Sequence, residues 1–98
     1  MSTDAGSSRK PYRFEPALSQ IRSRQMGELA RADSRWDVLL ETAADDQTGA
    51  LRGRVHFVSG TTHRLSAWIF LEWAEQEVLD RFSDFSAPEL WNLLESLS

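Results

Sequence analysis

His56 and His63 are the side chains of this sequence best suited to proton transfer or metal chemistry. A catalytic histidine needs a nucleophile on one side and an orienting carboxylate on the other. A metal-binding pair on one helix face shows a spacing such as HxxxH. Neither pattern is present. The runs ALRGRVHFVSG and TTHRLSAWIFLEW read as strands split by Ser59-Gly60-Thr61. With a three-residue loop, His56 points to one sheet face and His63 to the loop end of the other. The two rings then do not converge, and both are expected to be ordinary exposed histidines.

The acidic residues offer no stronger chemistry. Asp45 and Asp46 stand before Gly49 without the DxDxDG pattern of a calcium loop. Turn formation accounts for both, since Asp side chains accept from backbone N–H groups two residues on. Glu72, Glu75, Glu77 and Asp80 form an acidic helix start, where carboxylates complement the dipole. Gly49, Gly53 and Gly60 do not form a GxxxxGK phosphate loop. No catalytic residue, metal ligand or cofactor site is expected, and the chain reads as a non-enzyme.

One constellation has more force. On the same loop assumption, Arg52, Arg54, His56, Arg64, Trp68 and Phe70 share one sheet face. Trp91 flanks the apolar stripe of the last helix. Arginine and aromatic side chains are enriched at protein-interface hot spots. They also bind phosphates and stack bases of single-stranded nucleic acid. These seven residues are the candidate interaction surface.

The elements that must position them follow from pattern. Pro16 suits the first turn of a helix, and ALSQIRSRQMGELARAD is rich in helix formers. A helix is expected over 16–32, with a thin stripe of Leu18, Ile21, Met26 and Leu29. Gly27 weakens that helix by about 1 kcal/mol relative to alanine. Trp36, Val38, Leu40 and Thr42 alternate as a strand requires, although WDVLLETAA also suits a helix. Leu51, Val55 and Phe57 alternate with Arg52, Arg54 and His56. Leu65, Ala67, Ile69 and Leu71 alternate with Arg64, Ser66, Trp68 and Phe70. Packing both apolar sets on one face calls for a loop with an odd number of residues, and Gly60 supplies its left-handed position. Val78, Leu79 and Phe82 recur at helical spacing. Ser86-Ala87-Pro88-Glu89 is a capping box with proline in the first turn. It opens a helix whose stripe is Leu90, Leu93, Leu94 and Leu97.

The expected fold is α+β: an N-terminal helix, a three-stranded antiparallel meander and two C-terminal helices. One sheet face packs on the last two helices, and the first helix covers part of the other. Residues 1–13 are expected to be a flexible tail, being polar and poor in groups that repay ordering. Residues 14–98 are expected to form one small domain. Its four Trp and five Phe are generous for a 98-residue chain, and the surplus motivates self-association.

Composition narrows the class further. The absence of cysteine removes disulfides, thiolate nucleophiles and Cys-based zinc sites. No apolar run is long enough for a membrane span. The polar start lacks the apolar core of a secretory signal, so the cytoplasm is the expected location. The net charge of −4 conceals a basic front: residues 1–35 carry seven Arg or Lys and four acids. Residues 72–98 carry seven acids and Arg81 alone. Those opposed charges suit solvated faces or mutual attraction better than a polyanion partner. The expected function is a small protein-interaction or assembly module, an adaptor or accessory subunit that forms a dimer or docks on a larger complex. Binding of RNA or single-stranded DNA through the basic aromatic face is the alternative.

Overall fold

The computed structural model describes residues 20–97. They form five strands, β1 (Arg22–Arg31), β2 (Ser34–Ala44), β3 (Leu51–Ser59), β4 (Thr62–Leu65) and β5 (Phe70–Glu72). Two helices follow, α1 (Glu75–Ser83) and α2 (Ala87–Ser96). The sheet is antiparallel in the order β1-β2-β3-β4, and β5 pairs with β3 beside β4.

The expected N-terminal helix is a correction. Residues 22–31 are a strand, and among the described residues no helix precedes the sheet. The sheet therefore has more than three strands. Long-range pairing overrides the helix-forming composition here, as it can for any weak local preference. β2 is buried along most of its length, and its outer row of backbone groups needs partners. β1 supplies them, turning back through Ala32 and Asp33. Ala32 takes a left-handed φ of 50° to make that turn. The register shifts between Gln25 and Gly27, so Met26 is the extra residue of a bulge. Of the thin stripe within the described residues, Leu29 is buried, Met26 packs against the core and Ile21 is exposed. The tail at 1–13, and the start of the proposed helix at 16–19, lie outside the described residues.

Residues 36–44 are a strand, not a helix. Trp36, Val38 and Leu40 face the helices together with Val55 and Phe57 of β3. The helices contribute Val78, Phe82, Leu90, Trp91 and Leu94 to that core. Gly53 allows the close approach of α1: a Cβ there would lie 2.8 Å from Val78 Cγ1 and 3.1 Å from Phe70 Cδ2. Phe70 and Phe85 meet edge to face, with ring centroids 5.9 Å apart. The expected capping box is present. Glu89 N–H donates to Ser86 Oγ at 3.3 Å, and Ser86 N–H donates to Glu89 Oε1 at 2.8 Å.

The strand past the Gly60 turn corrects the expected register. Ser59 pairs with Thr62, so the loop is Gly60-Thr61, two residues rather than three. Gly60 does take the left-handed conformation, with φ of 59°. An even loop turns the following strand over. Arg64 now lies opposite Phe57, on the helix side, and Leu65 lies opposite His56, on the other. The strand then breaks. Between the pairs His56–Leu65 and Gly53–Phe70, Arg54 and Val55 on β3 face four residues, 66–69. Ser66 pins the break: its N–H donates to Val55 O, and its Oγ accepts from Val55 N–H, both at 2.9 Å. Beyond it Phe70 returns to the core, and Leu71 faces away opposite Arg52.

Among the described residues no helix is long and apolar enough to cross a membrane.

Candidate functional site

The sheet face turned away from the helices carries a linked polar cluster. Its centre is Glu41, in the middle of β2, only 8% exposed. Register places Glu41 opposite Arg54, and Leu39 opposite His56. Arg54 Nε donates to Glu41 Oε1 at 2.7 Å. His56 Nδ1 lies 2.9 Å from Glu41 Oε2. The carboxylate thus engages one partner with each oxygen. A charge taken this far out of water is tolerated only when it is paired and hydrogen-bonded.

His63 completes the chain. Its Nδ1 lies 2.9 Å from His56 Nε2, with ring centroids 5.1 Å apart. The expectation that the two histidines diverge is corrected, and the cause is the two-residue loop. His63 pairs with Val58, two positions along from His56 on the same face. Diagonal neighbours across antiparallel strands are within reach of long side chains. With Glu41 ionised, His56 Nδ1–H donates to it and leaves Nε2 to accept from His63 Nδ1–H. This order leaves the His63 Nε2 lone pair at the exposed end of the chain.

Two further arginine contacts frame the cluster. The Arg54 guanidinium stacks on Trp68, 4.3 Å from the ring centroid. Arg52 Nη2 donates to Asp45 Oδ2 at 3.3 Å. Asp45 also shapes the β2–β3 turn, accepting from Gln47 N–H at 2.9 Å and Thr48 N–H at 3.4 Å. The Gln47 N–H bond, followed by those from Arg52 and Thr48, holds its carboxyl below the ordinary range against the opposing effect of burial.

The expected interaction surface is therefore divided. Arg52, Arg54, His56 and Trp68 do come together on the open face. Arg64 does not: it lies over Trp36, 5.2 Å from the ring centroid, on the helix side. Phe70 and Trp91 are buried in the core rather than presented for contact. The Arg31 guanidinium covers Trp91 at 4.2 Å. Glu41 was not singled out from the sequence, and His63 was set aside there as an ordinary exposed histidine. The signal for Glu41 was a carboxylate within the largely apolar run Val38–Ala44 of the strand.

A second feature lies along the β4–β5 edge. Of the five large apolar side chains exposed among the described residues, four fall within residues 65–73. They are Leu65, Ile69, Leu71 and Trp73, with Leu71 56% and Trp73 73% exposed. Ile69 and Leu71 line a shallow hollow that continues to Arg81 of α1 and to Phe85 just beyond that helix. Leu71 and Trp73 line another with Ala50 and Arg52. The edge is apolar where β4 and β5 run beside β3, and both hollows open to solvent.

Among the described residues no group of three or more His, Cys, Asp or Glu side chains has the geometry to hold a metal ion. Comparison with protein-family models, with curated proteins and with solved structures finds no match for this chain.

Proposed function

We propose that this protein is a non-enzymatic, cytoplasmic protein-interaction module that docks through its β4–β5 edge, on a second copy of itself or on a larger assembly. The observation that carries this reading is the concentration of exposed Leu65, Ile69, Leu71 and Trp73 along that one edge. Scattered apolar side chains are ordinary on a protein surface, but contiguous ones mark contact sites. Among the described residues β5 pairs only with β3, so its outer side can also accept a strand.

The state of the arginines favours a protein partner over nucleic acid. Phosphate binding draws on free positive charge. Arg54 and Arg52 are each engaged by a carboxylate, Glu41 and Asp45, and Arg64 faces the other way. The open face thus carries little unbalanced positive charge.

Light scattering over a range of concentrations tests the self-associating form. Mass should rise above that of one chain and fall back in a Leu71→Glu, Trp73→Glu variant. A wild-type chain that stays monomeric at high micromolar concentration would sink that form and leave docking on another protein, which the closing experiment of the Discussion addresses.

A further inference from the structure

We propose that the β5 half of the apolar edge takes an extended segment of another protein in which Lys or Arg alternates with large apolar side chains. This rests on the docking reading given above and narrows it to one kind of partner. Among the described residues β5 pairs only with β3, so a strand laid along its outer side meets the unpaired backbone groups of a sheet edge. Side chains of the added strand alternate between the two sheet faces. Leu71 lies on the open face, opposite Arg52, and Trp73 lines the same hollow. Phe70 and Glu72 lie on the helix side, opposite Gly53 and Leu51.

The two faces ask for different side chains. On the open face, exposed Leu71 and Trp73 offer apolar surface to every second residue of the added strand. On the helix side the surroundings are acidic. Residues 65–85 hold five acids and Arg81 alone, a net of −4. Arg81 Nε is engaged by Glu72 Oε2 at 3.1 Å. Glu77, Arg81 and Asp84 follow at i, i+4 and i+7, so one stripe of α1 runs along the edge. Glu77 Oε1 accepts from Trp73 N–H at 3.1 Å, and Asp84, at the end of that helix, lines the hollow with Ile69 and Leu71. Both carboxylates are exposed, and among the described residues neither has an ion-pair partner.

These charges choose between the two occupants that the docking reading admits. A second copy joined edge to edge about a two-fold axis would set Glu72 and the acidic stripe against their own counterparts. Like charges opposite one another destabilise a strand pair. A basic segment gains on both faces instead: its apolar residues cover Leu71 and Trp73, and its Lys or Arg residues meet Glu77 and Asp84. Charge of this kind governs partner choice more than total affinity, and salt screens it.

Fluorescence anisotropy on the full chain tests this, with labelled strand-length peptides that alternate Val with Lys, Val with Gln or Val with Glu. At low salt the Lys peptide should bind about tenfold more tightly than the Gln peptide, and high salt should remove that advantage. The Glu peptide should not bind. Glu77→Gln with Asp84→Asn, both at exposed positions, should bring the Lys peptide down to the Gln level. Leu71→Ser should weaken both peptides. Equal binding of the Lys and Gln peptides, lost in Leu71→Ser, overturns the charge requirement and leaves the edge as the docking site. Lys binding that Leu71→Ser does not change is adsorption on the helix and overturns the edge as its site. Self-association that strengthens with salt puts a second copy on the edge and overturns the choice of partner. Binding of none of the three peptides overturns the proposal, while crosslinking from Trp73 reads the docking site independently of the partner's charge.

Discussion

The two faces of the sheet are built from the same strands and held by different forces. On the helix side, Val38, Leu40, Val55 and Phe57 are almost wholly buried against Val78, Phe82 and Leu94. Each large side chain removed from water there contributes about 1.5–3 kcal/mol. On the other side, Glu41, Arg54, His56 and His63 are joined by three contacts of 2.7–2.9 Å, half covered by one another and by Trp68. Glu41, Arg54 and His56 are largely buried, so the attraction between them is offset by the cost of taking their polar groups out of water. The contrast separates the two faces: the helix face holds the fold, and the open face with its apolar edge is the surface proposed to bind.

The largest effect should come from emptying the helix face. Phe57→Ala should cost about 3–5 kcal/mol, the loss of a fully buried ring plus the cavity it leaves. Urea unfolding measures this. A cost near that of a surface substitution would mean that the core does not centre on β3.

Filling the same face should cost less. Gly53→Ala puts a methyl group 2.8 Å from Val78 Cγ1. Overpacking of this kind costs about 1–3 kcal/mol. Val78→Ala should recover part of the loss in the double variant, because the two sites share one contact. Independent, additive losses would contradict the close approach of α1 to β3.

A change at the β1–β2 turn should act in the opposite direction. Ala32 has a φ of 50°, a conformation that costs a non-glycine residue about 1–2 kcal/mol. Glycine removes that strain but gives the unfolded chain more freedom, worth about 0.4–1 kcal/mol. Ala32→Gly should therefore raise the unfolding midpoint slightly. A lower midpoint would speak against this hairpin, and with it against β1 as a strand.

The smallest effect belongs to the capping box. Backbone and then side-chain hydrogen bonds from Ser86 hold the Glu89 carboxyl below its ordinary value. A carboxyl lowered in the folded state stabilises above its unfolded value, and that contribution is lost as pH falls through the folded one. The stability advantage of wild type over Glu89→Gln should thus be present at pH 7 and fade below about pH 4.5. Paired unfolding curves between pH 7 and pH 2 would show it, and a difference independent of pH would contradict the assignment.

What was legible in the sequence divides along physical lines. Both helices, the Ser86–Glu89 box and the Asp45 turn were readable because neighbours in sequence create them. β1 was not, because its helix-forming composition and its few apolar residues hide a hairpin that is held by pairing with β2. The register of β4 was not, because it turns on a single residue of loop length. Gly60 serves a two-residue or a three-residue loop equally well. With the odd loop, Leu65 and Leu71 look like core and the histidines look unrelated. With the even one, Leu65 and Leu71 become exposed and His63 comes onto the face of His56. The missed His56–His63 contact and the missed apolar edge are one error of register, whereas Glu41 joins the cluster through the β2–β3 pairing.

The central claim is that the β4–β5 edge binds protein while contributing little to the fold. Photo-crosslinking from the edge tests it most directly, with a benzophenone side chain in place of the Trp73 indole in cells that make the full chain. A discrete crosslinked product, either a second copy or one other protein, should form and disappear when Leu71→Glu is added, with the unfolding midpoint of that variant close to wild type. The account is contradicted if no discrete product forms, or if the product persists in the Leu71→Glu background.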